Sequence, residues 1–126
     1  MSEIPDDLKY TEDHEWIEVK EGEARYGITD HAQDELGDIV YVELPEEGEE
    51  VSKGDMLGVI ESVKTVSDLY APLSGTVKDV NEDLEASPEI MNEDPYGDGW
   101  VVVIDIADKD EVDGLLVPDE YEDILE

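Results

Sequence analysis

The sequence predicts a mainly β protein, an antiparallel sandwich or barrel trimmed with a few short helices. Two observations carry this. Short segments of strand character recur along the chain, as in Glu15-Trp16-Ile17-Glu18-Val19, Ile39-Val40-Tyr41-Val42-Glu43-Leu44 and Trp100-Val101-Val102-Val103-Ile104-Asp105-Ile106. Frequent Gly and Pro turn signals separate them, and only brief stretches carry helix caps. No repeat of fixed period and no low-complexity linker divides the 126 residues, so a single domain over 1–126 is expected.

Residues 1–9 read as a loose acidic lead-in ending near Tyr10. Glu15 to Val19 alternates apolar and charged residues, as a half-buried strand does. Glu21-Gly22-Glu23 makes a turn, and Ala24 to Ile28 returns as the second strand of a hairpin. Asp30 to Leu36 reads as a short helix, capped by Asp30 with Gln33 following, and stopped by Gly37. Asp38 to Leu44 is a strand rich in Ile, Val and Tyr, followed by turns at 45–50 and 53–55. Met56 to Glu61 and Val66 to Tyr70 are strands that flank Lys64, and a turn over 71–75 leads into a strand over 76–80. Pro88, Pro95, Gly97 and Gly99 break the stretch from Asn81 to Gly99 into helical turns and loops. Trp100 to Ile106 is the strongest strand signal. A C-terminal helical segment over 108–126 follows, starting at Asp108 with Glu111 three residues on, and resuming at Pro118 through Leu125.

The charge balance is extreme: 39 acidic against 7 basic residues leave a net charge of −32. Phosphates would repel such a chain, which excludes nucleic acid, and anionic membrane surfaces are excluded on the same ground. The carboxylates are interleaved with regular apolar positions and not gathered into tails, which favours a folded protein over a disordered one. At about 1 M salt the Debye length falls to roughly 3 Å, so self-repulsion is screened while the carboxylates hold water. A halophilic host is the expectation. There are no cysteines, so there is no disulfide, thiolate metal site or thiol nucleophile. The start MSEIPDDLKY has neither a basic nor an apolar leader region, and no apolar run approaches spanning length; a soluble cytoplasmic protein is expected.

Lys64 is the one cation between Lys53 and Lys78. The segment from Leu57 to Leu69 is apolar or small apart from Glu61, Lys64 and Asp68. An unpaired ammonium there would be costly to bury, so Lys64 belongs at a strand break or hairpin tip. Most lysines are merely solvated. An amine displayed between two apolar strands with small neighbours, however, suits covalent modification by another enzyme.

Glu61-Ser62-Val63-Lys64, after Gly54-Asp55 and Gly58 and before Ser67-Asp68 and Pro72-Gly75, resembles the lipoyl-attachment segment of the glycine cleavage system H protein family. Further blocks follow in family order: His14-Glu15-Trp16, Gly27-Ile28-Thr29-Asp30, Ala32-Gln33, Leu36-Gly37-Asp38, Val42-Glu43-Leu44-Pro45, Asn92-Glu93-Asp94-Pro95-Tyr96-Gly97 and Gly99-Trp100. The resemblance spans roughly Tyr10 to Leu125. Val63 and Thr65 beside the lysine differ from the methionines that flank it in biotin carriers. They differ also from the Asp and Ala typical of 2-oxo acid dehydrogenase lipoyl domains. The acid load is the one clear departure from ordinary family members.

The resemblance implies the sandwich/barrel hybrid of the lipoyl/biotinyl-carrier type, a monomeric carrier and not a catalyst, with (R)-lipoate in amide linkage to Lys64. The dithiolane would accept the aminomethyl group of glycine from a pyridoxal-phosphate glycine decarboxylase (P protein). A folate-dependent aminomethyltransferase (T protein) would take the one-carbon unit, and a flavin dihydrolipoyl dehydrogenase (L protein) would reoxidise the dithiol. A lipoate-attaching enzyme is a fourth partner. An H-like protein that relays octanoyl or lipoyl groups would need the same lysine, and an acidic binding domain would leave it unmodified. The family's contacts to the aminomethylated arm match Glu15 and Asp68, which could hold a cation by charge-assisted hydrogen bonds. Among 39 acids, most carboxylates are simply solvated.

Other constellations fail. His14 and His31 stand apart and outside any His-Glu-x-x-His pattern, so no zinc site is expected. A calcium loop starting at Asn92 would put Tyr96 in a ligand position and Val103 where Glu is needed. No Gly-rich phosphate loop precedes a helix, and Ser67-Asp68 has no nearby histidine in sequence to make a nucleophile. Trp16 and Trp100 read as core residues.

Overall fold

In a computed structural model, which describes residues 4–125, nine strands form two antiparallel sheets. The chain opens with β1 (Lys9–Tyr10), β2 (Glu15–Lys20) and β3 (Glu23–Ile28), then helix α1 (Asp30–Leu36). Strands β4 (Ile39–Glu43), β5 (Glu50–Val51), β6 (Met56–Ser62), β7 (Val66–Tyr70) and β8 (Gly75–Val80) follow. Two four-residue helices, α2 (Asp83–Ala86) and α3 (Ile90–Glu93), precede β9 (Val102–Ile106). A 3-10 turn at Lys109–Gly114 and helix α4 (Pro118–Leu125) complete the chain. The larger sheet runs β1-β2-β3-β9-β8-β5 and the smaller β4-β6-β7. This is the expected mainly β architecture with short helices, one of them C-terminal.

The period-two pattern of β2 and β3 puts two different cores on the two faces of the larger sheet. Ile17, Ala24, Tyr26 and Ile28 enter the main core with Ile60, Leu69 and Val42 of the smaller sheet. Trp16 points the other way, into a cluster with Leu8, Tyr10 and Tyr121. Its indole covers Gly27, where a Cβ would lie 2.9 Å from Nε1, and donates to the Pro95 carbonyl at 2.7 Å. Truncating Trp16 to alanine would open a cavity there, at about 3–5 kcal/mol. Tyr121 stacks on Tyr10 with ring centroids 4.7 Å apart, so α4 is docked on β1 by its one buried residue. Trp100 is half-buried against this cluster.

Several expectations are corrected. The lead-in over 1–9 is not loose at its end: Leu8 is buried, and Lys9 pairs with Ile17 in β1. Its first three residues lie outside the described ones. Helix α1 is capped by Thr29, whose hydroxyl accepts from the Ala32 N–H at 3.2 Å, not by Asp30. Asp30 instead accepts from the Gln33 amide at 2.7 Å, one position later than a capping box requires. The 100–106 strand begins at Val102. Trp100 and Val101 are used beforehand, by the buried Asn81 amide donating to the Trp100 carbonyl and by Val101 N–H donating to Tyr26. Asp108 does cap the turn after β9, accepting from Asp110 N–H at 3.0 Å, but the turn is 3-10.

Candidate functional site

Strands β6 and β7 form a hairpin whose tip holds Lys64. Its geometry comes from Ser62, not from an Asn-Gly pair. Ser62 N–H donates to the Thr65 carbonyl at 2.8 Å, while Ser62 Oγ accepts from Lys64 N–H at 3.2 Å and Thr65 N–H at 3.1 Å. The tip is also tied to the body of the protein, since Val63 N–H donates to the Asp38 carbonyl at 3.0 Å. Lys64 is therefore exposed on a fixed turn, with no backbone freedom needed to present it.

The Lys64 side chain lies over Gly37, which ends α1 with φ 78° and donates its N–H to the Gln33 carbonyl at 3.0 Å. A Cβ at Gly37 would come within 2.9 Å of Lys64 Cε. Asn92 holds this seat from below. Its amide donates to the Gly37 carbonyl at 2.8 Å and the Gln33 side chain at 3.1 Å, and its oxygen accepts from Ile39 N–H at 2.9 Å. Asn92 thus joins the end of α1 to the start of β4.

Beside this seat a cavity of about 190 Å³ opens between β2, α1 and the β6–β7 hairpin. Ile28, Leu36, Ile60 and Leu69 give it an apolar wall, and Leu36 is the residue before Gly37. Glu15, Asp68, His14 and His31, with Asp13, Glu35 and Ser67, supply the polar part. The fold thus brings Glu15 and Asp68, distant in sequence, to one cavity whose lining reaches Leu36, the neighbour of the Gly37 seat. The match with a covalently attached hydrocarbon arm is physical: an open amine, a side chain laid closely over Gly37, and an adjoining half-apolar hollow.

Glu15 is 2% exposed. Burial, assisted by the nearby Asp13 charge, pushes its carboxyl up to about 8 against the pull of Tyr70 N–H and the Thr11 hydroxyl. Both donors stand at 3.3 Å, long for bonds to a charged group, so at neutral pH Glu15 is mostly the neutral acid. Asp68, by contrast, is exposed at the cavity mouth and accepts from the Tyr70 hydroxyl at 3.4 Å.

The histidines that sequence spacing keeps apart are neighbours here, with ring centroids 4.8 Å apart. His14 sits at φ 65°, which turns its ring toward α4, where Nδ1 lies 2.9 Å from the Tyr121 hydroxyl. Tyr121 also bonds Thr29 at 2.7 Å, and His31 Nε2 pairs with Glu35 at 2.9 Å. Burial and the adjacent His31 lower the His14 pKa, so His14 is neutral at pH 7. Among the described residues no group of three or more His, Asp and Glu is placed to hold a metal. Asn92 and the Tyr121–His14–His31 row have no local sequence signal as site residues, because the groups that place them are 17 to 107 positions away.

An exposed amine on a pinned hairpin tip, in a two-sheet antiparallel fold, defines a carrier of the lipoyl/biotinyl class. The glycine cleavage H-protein family model matches residues 8–126, and the chain belongs to that family. It is 56% identical over 124 residues to the probable glycine cleavage system H protein of Haloarcula marismortui, covering 98% of both chains. With the glycine cleavage system H protein of Carboxydothermus hydrogenoformans it shares 55% identity over 126 residues, covering 100% of this chain and 97% of that one. The crystal structure of a glycine cleavage system H protein from Mycobacterium marinum superimposes with a TM-score of 0.88 at 42% identity, covering 97% of this chain and 98% of the other.

Proposed function

We propose that this chain is the lipoyl-bearing carrier protein of the glycine cleavage system, non-catalytic and monomeric. In this reading it takes the aminomethyl group of glycine from the decarboxylating glycine dehydrogenase to the aminomethyltransferase, and is then reoxidised by dihydrolipoyl dehydrogenase. A lipoate-attaching enzyme modifies Lys64 beforehand. The observation that carries this is Lys64 itself, presented on a turn whose four N–H groups, Ser62 to Thr65, are all engaged, and seated against Gly37. In amide linkage to Lys64, lipoate would supply the dithiolane that bears the one-carbon cargo.

The chain's own residues then have distinct tasks. Amide formation removes the Lys64 charge, so nothing opposes laying an arm along Gly37 and the apolar wall of Leu36 and Ile60. The cargo ends in an amine, which is cationic at neutral pH. Its arrival beside Glu15 favours the carboxylate, so Glu15 gives up its proton to solvent and forms an ion pair with the cargo from its buried position. Asp68 contributes a second carboxylate at the mouth. Neutral cargo would gain no such pair, so the site distinguishes charged from uncharged ends.

Around the tip, Val40, Tyr41, Val63 and Val66 are exposed on the smaller sheet or its hairpin, Val63 to 67%. On so acidic a surface these are the residues suited to docking enzymes by apolar contact. The acid excess, and the similarity to a protein of the halophile Haloarcula marismortui, support a salt-rich cytoplasm as its setting. No described helix is long and apolar enough to cross a membrane.

Intact mass of the protein purified from its own host tests the assignment. A lipoyl increment located on Lys64 is expected, and its absence would remove the carrier reading. Support of glycine decarboxylation by the loaded protein in a reconstituted system then separates this role from acyl relay.

A further inference from the structure

Glu15 and Tyr26 share one face of the larger sheet. Glu15 stands opposite Ile28 and Ile17 opposite Tyr26, so Glu15 and Tyr26 are diagonal neighbours across β2 and β3. Such diagonals lie about 7–8 Å apart, within reach of long and aromatic side chains. Both residues are buried, Tyr26 completely. The phenols of Tyr10 and Tyr121 are engaged, the first donating to the Pro5 carbonyl at 2.6 Å and the second bonding Thr29 and His14. The Tyr26 hydroxyl is buried with no hydrogen-bond partner. That is an uncommon arrangement, since a buried hydroxyl gives up its bonds to water and gains none.

Glu15 has the complementary shortfall. An ionised carboxylate can accept about four hydrogen bonds and draws its donors to roughly 2.7–2.9 Å. Glu15 has two donors from Thr11 and Tyr70, both at 3.3 Å, a set that suits the neutral acid and leaves the anion underserved. We propose that Tyr26 is a positioning residue for Glu15, its hydroxyl donating toward the Glu15 carboxylate once that group ionises to hold cationic cargo. This rests on the role proposed for Glu15 above. Burial, and the Glu15 charge, push the Tyr26 phenol well above its ordinary value, so it remains a donor throughout the working range. A hydroxyl idle beside the acid and engaged by the anion favours the ionised state only when it is needed.

Other charged groups face Glu15 and bear on the same equilibrium. Asp13 adjoins it in the β1–β2 turn, and Asp68, His14, His31 and Glu35 face it across the cavity beside Lys64. On its far side a second cavity of about 280 Å³ brings Glu12 and Lys53 near. All of these are unchanged by Tyr26→Phe, which removes one oxygen and keeps the ring.

The test is a carbon-detected pH titration of the Glu15 carboxyl in the full-length, unlipoylated protein at fixed high salt. In Tyr26→Phe the midpoint is expected to rise by about half a pH unit or more, roughly a threefold loss in the ionisation equilibrium. In the wild type the Tyr26 ring carbon bearing the hydroxyl should titrate with the Glu15 midpoint, a readout that needs no variant to fold. An unmoved or lowered Glu15 midpoint, or a Tyr26 signal flat across that midpoint, overturns the proposal. On loaded protein, Tyr26→Phe should shorten cargo half-life in the wild-type background and have no effect in Glu15→Gln. If the midpoints move as expected but Glu15→Gln leaves the half-life unchanged, the Tyr26–Glu15 pairing stands and the cargo role of Glu15 falls.

Discussion

Lys64 crosses the backbone of Gly37 so closely that any side chain at Gly37 would have to displace it. The relationship joins the end of α1 to the hairpin tip, two places 27 residues apart that the smaller sheet brings into contact. At φ 78° and ψ −154°, Gly37 also holds an extended positive-φ conformation that is essentially glycine's own and costs other residues about 1–3 kcal/mol. Gly37→Ala should therefore lower stability by about that amount in urea unfolding. Because the Lys64 end can give way, the loss should persist almost unchanged when Lys64 is also alanine.

Lys64→Arg should abolish the lipoyl mass increment and leave stability within about 0.5 kcal/mol of wild type. The turn is built from Ser62, Thr65 and the Asp38 carbonyl, none of which uses the lysine side chain. Loss of folding in this variant, seen by circular dichroism, would mean that Lys64 is structural.

Asn92→Ala should destabilise by about 2–3 kcal/mol, since it strands the Ile39 N–H and the Gly37 carbonyl together. Amide exchange at Ile39 should rise in the same variant. Unchanged exchange would show that the staple is dispensable.

Glu15 predicts a stability slope with a definite sign. Its ordinary value is 4.5 and the folded value about 8, so between these the folded protein holds a proton that the unfolded chain has lost. Stability should fall as pH rises from about 4.5 to about 8, and level off above. Glu15→Gln should remove that fall, a gain on the order of a few kcal/mol at pH 8. His14 works in the opposite direction on the acid side. Its lowered pKa means that the unfolded chain takes a proton first, so stability drops as pH falls below about 6.5. Denaturation midpoints measured across pH 4.5–9 at constant salt check both slopes.

Val66→Asp or Tyr41→Asp should weaken productive encounter with the partner enzymes by about tenfold or more, as a rise in their KM for the loaded carrier. Affinity of the wild type should change little with salt above about 1 M, where charge steering is already screened. Steep weakening in that range would move the docking surface to the carboxylates. Folding itself should need salt, because a net charge of −32 is unscreened in dilute buffer.

Local chemistry determined much of this protein by sequence alone. Period-two patterning marked β2, the cost of burying an amine put Lys64 at a tip, and ordered blocks pointed to the glycine cleavage H-protein family. Caps were legible only to within a residue, because Thr29 and Asp30 are both competent and only the turn of the chain chose Thr29. Tertiary structure decided what surrounds the lysine. Gly37 and Asn92 became its seat, Glu15 and Asp68 met at one cavity, His14 found His31, and Tyr26 was set beside Glu15 without a partner. The reason is that a strand's period assigns faces from neighbouring residues, whereas burial, desolvation and a missing hydrogen bond depend on groups that only strand pairing and helix docking bring near.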